Sequence, residues 1–155
     1  MQRSSFSAGF TILEILIVIA VFGLLATFGA LSLNSARARA RDAQRVSDVS
    51  VLRNALSEYW LQNSRYPASA SVNLGQPGTK TAVFGSSGFT EQVDPASVTY
   101  LPRVPTGPTV NEYYRYHGGV NGYSIRFQTE SDTMLGKANV FYAHAAGIDD
   151  RDEEK

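Results

Sequence analysis

The chain has 155 residues, 14 Lys and Arg against 14 Asp and Glu, and no cysteine. That length allows one modest globular domain plus a membrane segment, and the neutral balance gives no overall pull toward nucleic acid or acidic ligands. The missing cysteine excludes disulfides, thiol catalysis and cysteine-ligated metal sites.

Met1 to Gly9 is a short polar leader whose one basic side chain is Arg3. Phe10 to Leu33 follows as an apolar run with one charge, Glu14, with Gly23 and Gly29 inside it and no proline. A bilayer core needs about 20 helical residues at about 1.5 Å rise each, so the run is long enough to span. An ordinary secretory signal has a basic start, about 7 to 15 apolar residues and then a small-residue cleavage site. Here the small pair Ala8-Gly9 precedes the apolar run, so a cut there leaves the whole helix on the mature protein. A carboxylate inside a spanning helix costs a few kcal/mol, and by default it is functional or paired. The plainer reading of Glu14 is a side chain near the headgroups that snorkels to water.

The stretch Gly9-Phe10-Thr11-Ile12-Leu13-Glu14, continued by Ile15-Leu16-Ile17-Val18-Ile19-Ala20, resembles the class III signal of type IV prepilins and type II secretion pseudopilins. The resemblance implies that a prepilin peptidase/methyltransferase cuts between Gly9 and Phe10 on the cytoplasmic side and methylates the new amine of Phe10. Glu14 becomes the fifth residue of the mature chain. The family role implied for it is pairing with the terminal ammonium of a neighbouring subunit, which fixes the axial register of otherwise slippery apolar helices. The implied fold is α+β and pilin-like: a long N-terminal helix, half membrane-spanning and half amphipathic, packed on a small antiparallel β-sheet. The implied partners are the peptidase, the membrane, identical or related pilin subunits in a helical homopolymer, and an ATPase-driven assembly platform in the inner membrane. The implied localisation is a single-pass inner-membrane protein with its head outside the cytoplasm, then an extracellular or periplasmic filament. A charge count opposes this orientation, because arginines crowd after the span and only Arg3 and the amino terminus precede it. The resemblance outweighs the count because it rests on more independent positions.

Residues 10–33 form the transmembrane or filament-core half of the helix, and 34–62 continue it as an amphipathic half. Val46, Val49, Leu52, Leu56, Tyr59 and Trp60 recur at helical spacing and mark one apolar face. Arg37, Arg41 and Arg45 are four apart and line one stripe, with Arg39 to the side and Asp42 and Asp48 as partial partners. The stripe reads as a solvated face outside the membrane. The functional reading is headgroup contact before assembly and charge pairing between subunits afterward; nucleic-acid binding is a third, minor reading. The segments Ser32 to Arg45, Leu52 to Trp60 and Asn63 to Pro67 also resemble bacterial pilins. The apolar run departs from many of them by lacking a late proline.

Pro67 stops the helix. Residues 63–97, rich in Ser, Gly, Thr and Ala, read as a variable loop region with at most one short element. Residues 98–148 read as the antiparallel sheet head, with extended candidates at Val98 to Leu101, Tyr113 to His117, Tyr123 to Glu130 and Ala138 to Ala143. Gly118 to Gly122 supplies a hairpin loop. Tyr123, Ile125 and Phe127 alternate with Ser124, Arg126 and Gln128, a half-buried strand pattern. Major type II pseudopilins carry a calcium-binding turn with an aspartate near this point. Here the turn is Thr106-Gly107-Pro108, and Glu112 and Asp132 do not have the spacing of a calcium loop. No cofactor or metal is therefore assigned, with calcium kept as a minor alternative. His117 and His144 stand alone and read as structural. Residues 149–155 form a charged tail that reads as disordered.

No serine, histidine and acid arrangement points to catalysis. The sequence reads as a structural subunit of a type IV pilus-like filament, with a type II secretion or competence pseudopilin as the alternative. A membrane-anchored enzyme or receptor using Glu14 is a remote third.

Overall fold

Thr11 caps a single long helix, α1, running Ile12–Asn63 in the computed structural model, which describes residues 9–152. Thr11 Oγ1 accepts the Glu14 backbone N–H at 3.2 Å, which satisfies one of the donors that a helix start leaves open. Thr11-x-x-Glu14 is the sequence pattern of a capping box, and an acid in the first turn is favoured by the helix dipole. Most of the expected leader (1–8) and the last tail residues (153–155) lie outside the described residues.

The chain divides into two units, Met1–Arg37 and Ala38–Lys155. In the first, every large apolar side chain from Phe10 to Leu33 is exposed. The helix is long and apolar enough there to cross a membrane by length and composition. Thr27 Oγ1 donates to the Gly23 carbonyl at 2.9 Å, so the small hydroxyl is satisfied within the helix.

The second unit is built on the remaining turns of α1. Val49, Leu52, Ala55, Leu56 and Tyr59 are buried there and join one core with Tyr116, Tyr123, Ile125, Phe127, Phe141 and Ala143. Trp60, expected on the same face, is 44% exposed. It is adjacent to Tyr59, and a step of one residue turns about 100° around a helix of 3.6 residues per turn.

The strands are β1 (Ser69–Asn73), β2 (Val83–Gly85), β3 (Gly88–Thr90), β4 (Thr99–Leu101), β5 (Arg115–Gly118), β6 (Tyr123–Gln128), β7 (Val140–Ala143) and β8 (Ile148–Asp149). They form a five-stranded sheet in the order β1-β5-β6-β7-β8 and a three-stranded sheet in the order β3-β2-β4. All pairings are antiparallel. The alternation expected of β6 holds only from Ile125 onward: Ile125 and Phe127 are buried while Arg126 and Gln128 are exposed, whereas Ser124, expected to face out beside the buried Tyr123, is itself buried and donates its hydroxyl to Asp152 at 3.0 Å.

Three expectations change. The 63–97 segment is not one loop, since it holds β1, β2 and β3. These strands are short, and β1 is set by pairing with β5 rather than by its own apolar pattern. The stop signal also differs: the helix ends at Asn63, one residue past the expected 62, and what ends it is not Pro67 but Ser64, which takes a left-handed φ of 52° with its N–H closing on the Trp60 carbonyl at 2.7 Å. The tail expected to be disordered from 149 begins inside β8, and Asp152 accepts a hydrogen bond from Ser124 at 3.0 Å.

Candidate functional site

Two sets of residues were singled out by sequence, and they meet different fates. Gly9, Phe10 and Glu14 lie at the start of α1, all exposed, with Phe10 at 76%. A Cβ built on Gly9 would meet nothing within 4 Å. Glu14 sits in the first turn of the helix, with its backbone N–H held by Thr11 Oγ1. The capping pattern is a signal for this helix start that the sequence reading did not use.

The arginine stripe divides. Arg37 is exposed. Arg41 donates from Nε to Glu130 Oε1 at 2.8 Å and makes a second contact through Nη2 to Oε2. Arg45 is buried at 4% exposure. Its Nε and Nη2 donate to the two carboxylate oxygens of Glu112 at 2.6 and 2.9 Å. Its Nη1 donates to Asp42 Oδ1 at 2.7 Å, and Nη2 lies 2.7 Å from Glu130 Oε1. Arg45 therefore serves the internal packing of the head, which departs from the expectation of one outward stripe, while Arg41 stays about a third exposed in a surface pair with Glu130. The physical reason is that a buried guanidinium needs its fork filled by acceptors, and three carboxylates fill it here.

Asp42 belongs to the same cluster. Its Oδ1 accepts the Glu130 N–H at 2.9 Å and its Oδ2 the Ser131 N–H at 2.8 Å. Burial pushes its carboxyl up, but hydrogen bonds from Ser131, the Glu130 backbone and Arg45 outweigh that and hold it below the usual range. Glu112 follows the same balance, with burial opposed by Arg45 and Thr109. The hydrogen bonds of Arg41 and Arg45 lower Glu130 to about 2. Asp48 goes the other way: burial raises it, although the Tyr114 hydroxyl donates to its Oδ2 at 2.8 Å.

The acids weighed for calcium have internal partners. Glu112 is held by Arg45 and by Thr109, and Asp132 Oδ1 accepts the Ala138 N–H at 3.0 Å. No group of three or more His, Asp or Glu side chains that could hold a metal occurs among the described residues. His144 is buried, with Nδ1 3.1 Å from the Tyr123 carbonyl and Nε2 3.0 Å from the Arg151 carbonyl. It is a structural link, while His117 is exposed on β5.

Comparison with known proteins finds relatives that share one name. The chain is 32% identical over 136 residues to the type II secretion system core protein G of Klebsiella michiganensis, covering 88% of this chain and 91% of the relative. It is 31% identical over 128 residues to that of Pectobacterium carotovorum subsp. carotovorum, covering 83% and 78%. The Vibrio cholerae protein of the same name is 30% identical over 136 residues, covering 88% of each. No family model matches the chain, and no solved structure matches it. The exposed apolar stem, the α+β head built on its second half and this kinship agree: the chain belongs to the pilin and pseudopilin family, in the group of the type II secretion system core protein G.

Proposed function

We propose that the chain is a pseudopilin, a structural subunit polymerised through its N-terminal helix in a type II secretion system. The observation that carries this is the exposed apolar surface of Phe10 to Leu33, joined to kinship along most of the chain. Each large apolar side chain left in water forgoes about 1.5–3 kcal/mol relative to burial. Lipid before assembly and neighbouring stems after it can both supply that cover, with little difference between them in apolar contact.

On this reading the prepilin peptidase cuts between Gly9 and Phe10 and methylates Phe10. The stem then anchors the head outside the cytoplasm, in or beyond the inner membrane. An inner-membrane platform moves the subunit into a helical polymer with identical or related subunits. Glu14 pairs with the Phe10 ammonium of a neighbour and sets the register. Of the three arginines first assigned to headgroup or inter-subunit contact, Arg45 is buried within the head, so the role is kept for exposed Arg37 and for the part-exposed Arg41, whose surface pair with Glu130 can exchange for one with a neighbour. The names of the relatives move the preference from a surface pilus to the secretion branch of the family.

Mass spectrometry of the mature protein tests the processing. Loss of residues 1–9 with one methyl on Phe10 is expected; an intact N-terminus, or a cut near Ala30, defeats the reading. Glu14→Ala is expected to leave cleavage intact and to reduce filament incorporation at least about tenfold, as loss of a buried ion pair would. Normal filament yield from that variant would refute the register role. Deleting the gene separates the two branches: blocked export of folded proteins supports secretion, whereas loss of surface filaments with export intact supports a pilus.

A further inference from the structure

The exposed face of the five-stranded sheet carries an unbalanced charge. Arg115 on β5 and Arg126 on β6 are directly opposite each other in register, and both are exposed. Like charges at opposed positions weaken a sheet, and a negative group placed between them would relieve this. Neither has an ion-pair partner among the described residues. Together with His117, Ser124 and Tyr142 they line a depression of about 390 Å³. The acid in that depression is Asp152, which accepts the Ser124 hydroxyl at 3.0 Å.

The backbone leads the tail to this place. The β8 strand pairs with β7 at the sheet edge. His144 Nε2 then lies 3.0 Å from the Arg151 carbonyl, and the Arg151 N–H donates to Asp149 Oδ1 at 2.9 Å. Glu153 and Glu154 follow Asp152 directly in the sequence. Asp152, the first of three consecutive acids in the sequence, thus lies in the same depression as two arginines that have no ion-pair partner among the described residues.

We propose that this sheet face is a carboxylate-binding site for an acidic peptide segment, and that its occupant is the chain's own C-terminal tail from Asp152 onward. Guanidinium groups take carboxylates in two-point hydrogen bonds, which suits them to this ligand better than a diffuse positive patch would be. A tail tethered at His144 meets the site at an effective concentration on the order of millimolar, so weak contacts suffice to keep it closed. The tail thus masks a basic surface that would otherwise attract other acidic chains.

The test uses the full chain in detergent micelles and a labelled peptide with the sequence of residues 149–155, followed by fluorescence anisotropy. The tail-neutralised variant Asp152→Asn/Glu153→Gln/Glu154→Gln is expected to bind the peptide at least about tenfold more tightly than the unaltered chain, because the internal competitor is gone. That binding should weaken as salt rises from about 20 mM to about 500 mM, and should vanish when Arg115→Gln/Arg126→Gln is added. The neutralised tail keeps its backbone, so the His144 tether is preserved. Equal binding by the unaltered and neutralised chains would overturn the tail as occupant. Binding that survives loss of both arginines would overturn the site, and equal competition by a DNA oligonucleotide or inorganic phosphate would overturn the ligand class. Concentration-dependent dimerisation of the unaltered chain that disappears on tail neutralisation would place the tail on a second copy, against the proposal.

Discussion

Arg45 holds together three parts of the head that are far apart in sequence. Its guanidinium joins Asp42 on α1, Glu112 before β5 and Glu130 after β6. Removing the cation would leave these acids facing one another with no compensation, and breaking a buried pair in this way costs about 3–5 kcal/mol. Arg45→Ala is expected to lose about that much in denaturant unfolding of the head, and Arg45→Lys to recover only part, because a point charge cannot bridge Glu112 at two points. Arg37→Ala should stay within about 0.5 kcal/mol; a loss at Arg45 as small as that would remove its central place. The same cluster sets the acid response. Glu130 is lowered from 4.5 to about 2, and Asp42 and Glu112 are lowered as well. Groups lowered on folding add stability that is full above their ordinary values and is lost as pH falls through the folded ones. Asp48, raised by burial, contributes with the opposite sign, adding stability in acid that fades as pH rises through its folded value. Glu130, with its large lowering, dominates this balance, so the melting temperature should fall as pH drops from about 5 to about 2, with a shallower fall in Glu130→Gln. An acid response unchanged by that substitution would show that the cluster does not govern it. The sequence displays the Asp42–Arg45 pair at helical spacing. It does not display Glu112, which is 67 residues from Arg45, because periodicity reports a face and not the partner brought to it by later strands.

At the scale of elements, the junction between α1 and the five-stranded sheet depends on a close approach. The Tyr116 hydroxyl on β5 donates to the Pro67 carbonyl at 2.8 Å in buried surroundings. Gly118 lies beside it: an added Cβ would come 2.7 Å from the Pro67 carbonyl oxygen and closer still to the Tyr116 hydroxyl. Gly118→Ala must therefore displace the phenol or the backbone, leaving a buried donor and acceptor poorly matched at about 1–3 kcal/mol, with overpacking in addition. A loss of about 2 kcal/mol or more is expected by thermal or denaturant melting. Gly147→Ala, where a Cβ meets nothing within 4 Å, should be near neutral and serves as the control; equal effects at the two sites would refute the argument. Gly118 was read as the start of a hairpin loop, and it ends β5 instead. What the sequence shows well are elements that carry their own periodic signal, as α1 and β6 do. Strands such as β1, with Ser69, Ala70, Ser71 and Val72, have little apolar signal, and their assignment comes from the neighbour with which they pair.

At the scale of the whole molecule, the two units demand different surroundings. The apolar residues from Phe10 to Leu33 contribute nothing to the buried core, which is assembled entirely from residues between Val49 and Ala143. The charged cluster that supports this core begins at Arg41. Folding of the head should therefore be independent of the stem, and the boundary of that independence should fall between Arg37 and Arg41. A chain beginning at Ala36 keeps every partner of the cluster and leaves the apolar run behind. It is expected to remain monomeric without detergent and to melt cooperatively, as a domain with its own core does. A chain beginning at Ser47 keeps the core side chains but loses Arg41, Asp42 and Arg45, so Glu112 and Glu130 are left without their cations. It should be less stable by about 1–2 kcal/mol, since Glu112 and Glu130 are partly exposed and water screens them, and the loss should shrink in acid, where those carboxylates take up protons. Size-exclusion chromatography and thermal melting at two pH values compare the two chains directly. If the longer chain needs detergent to stay in solution, the apolar stem is part of the head's fold. If the shorter chain is as stable as the longer, the cluster is only a surface decoration. Either result would undo the division proposed here, in which the stem answers to lipid and neighbouring subunits while the head stands on its own core.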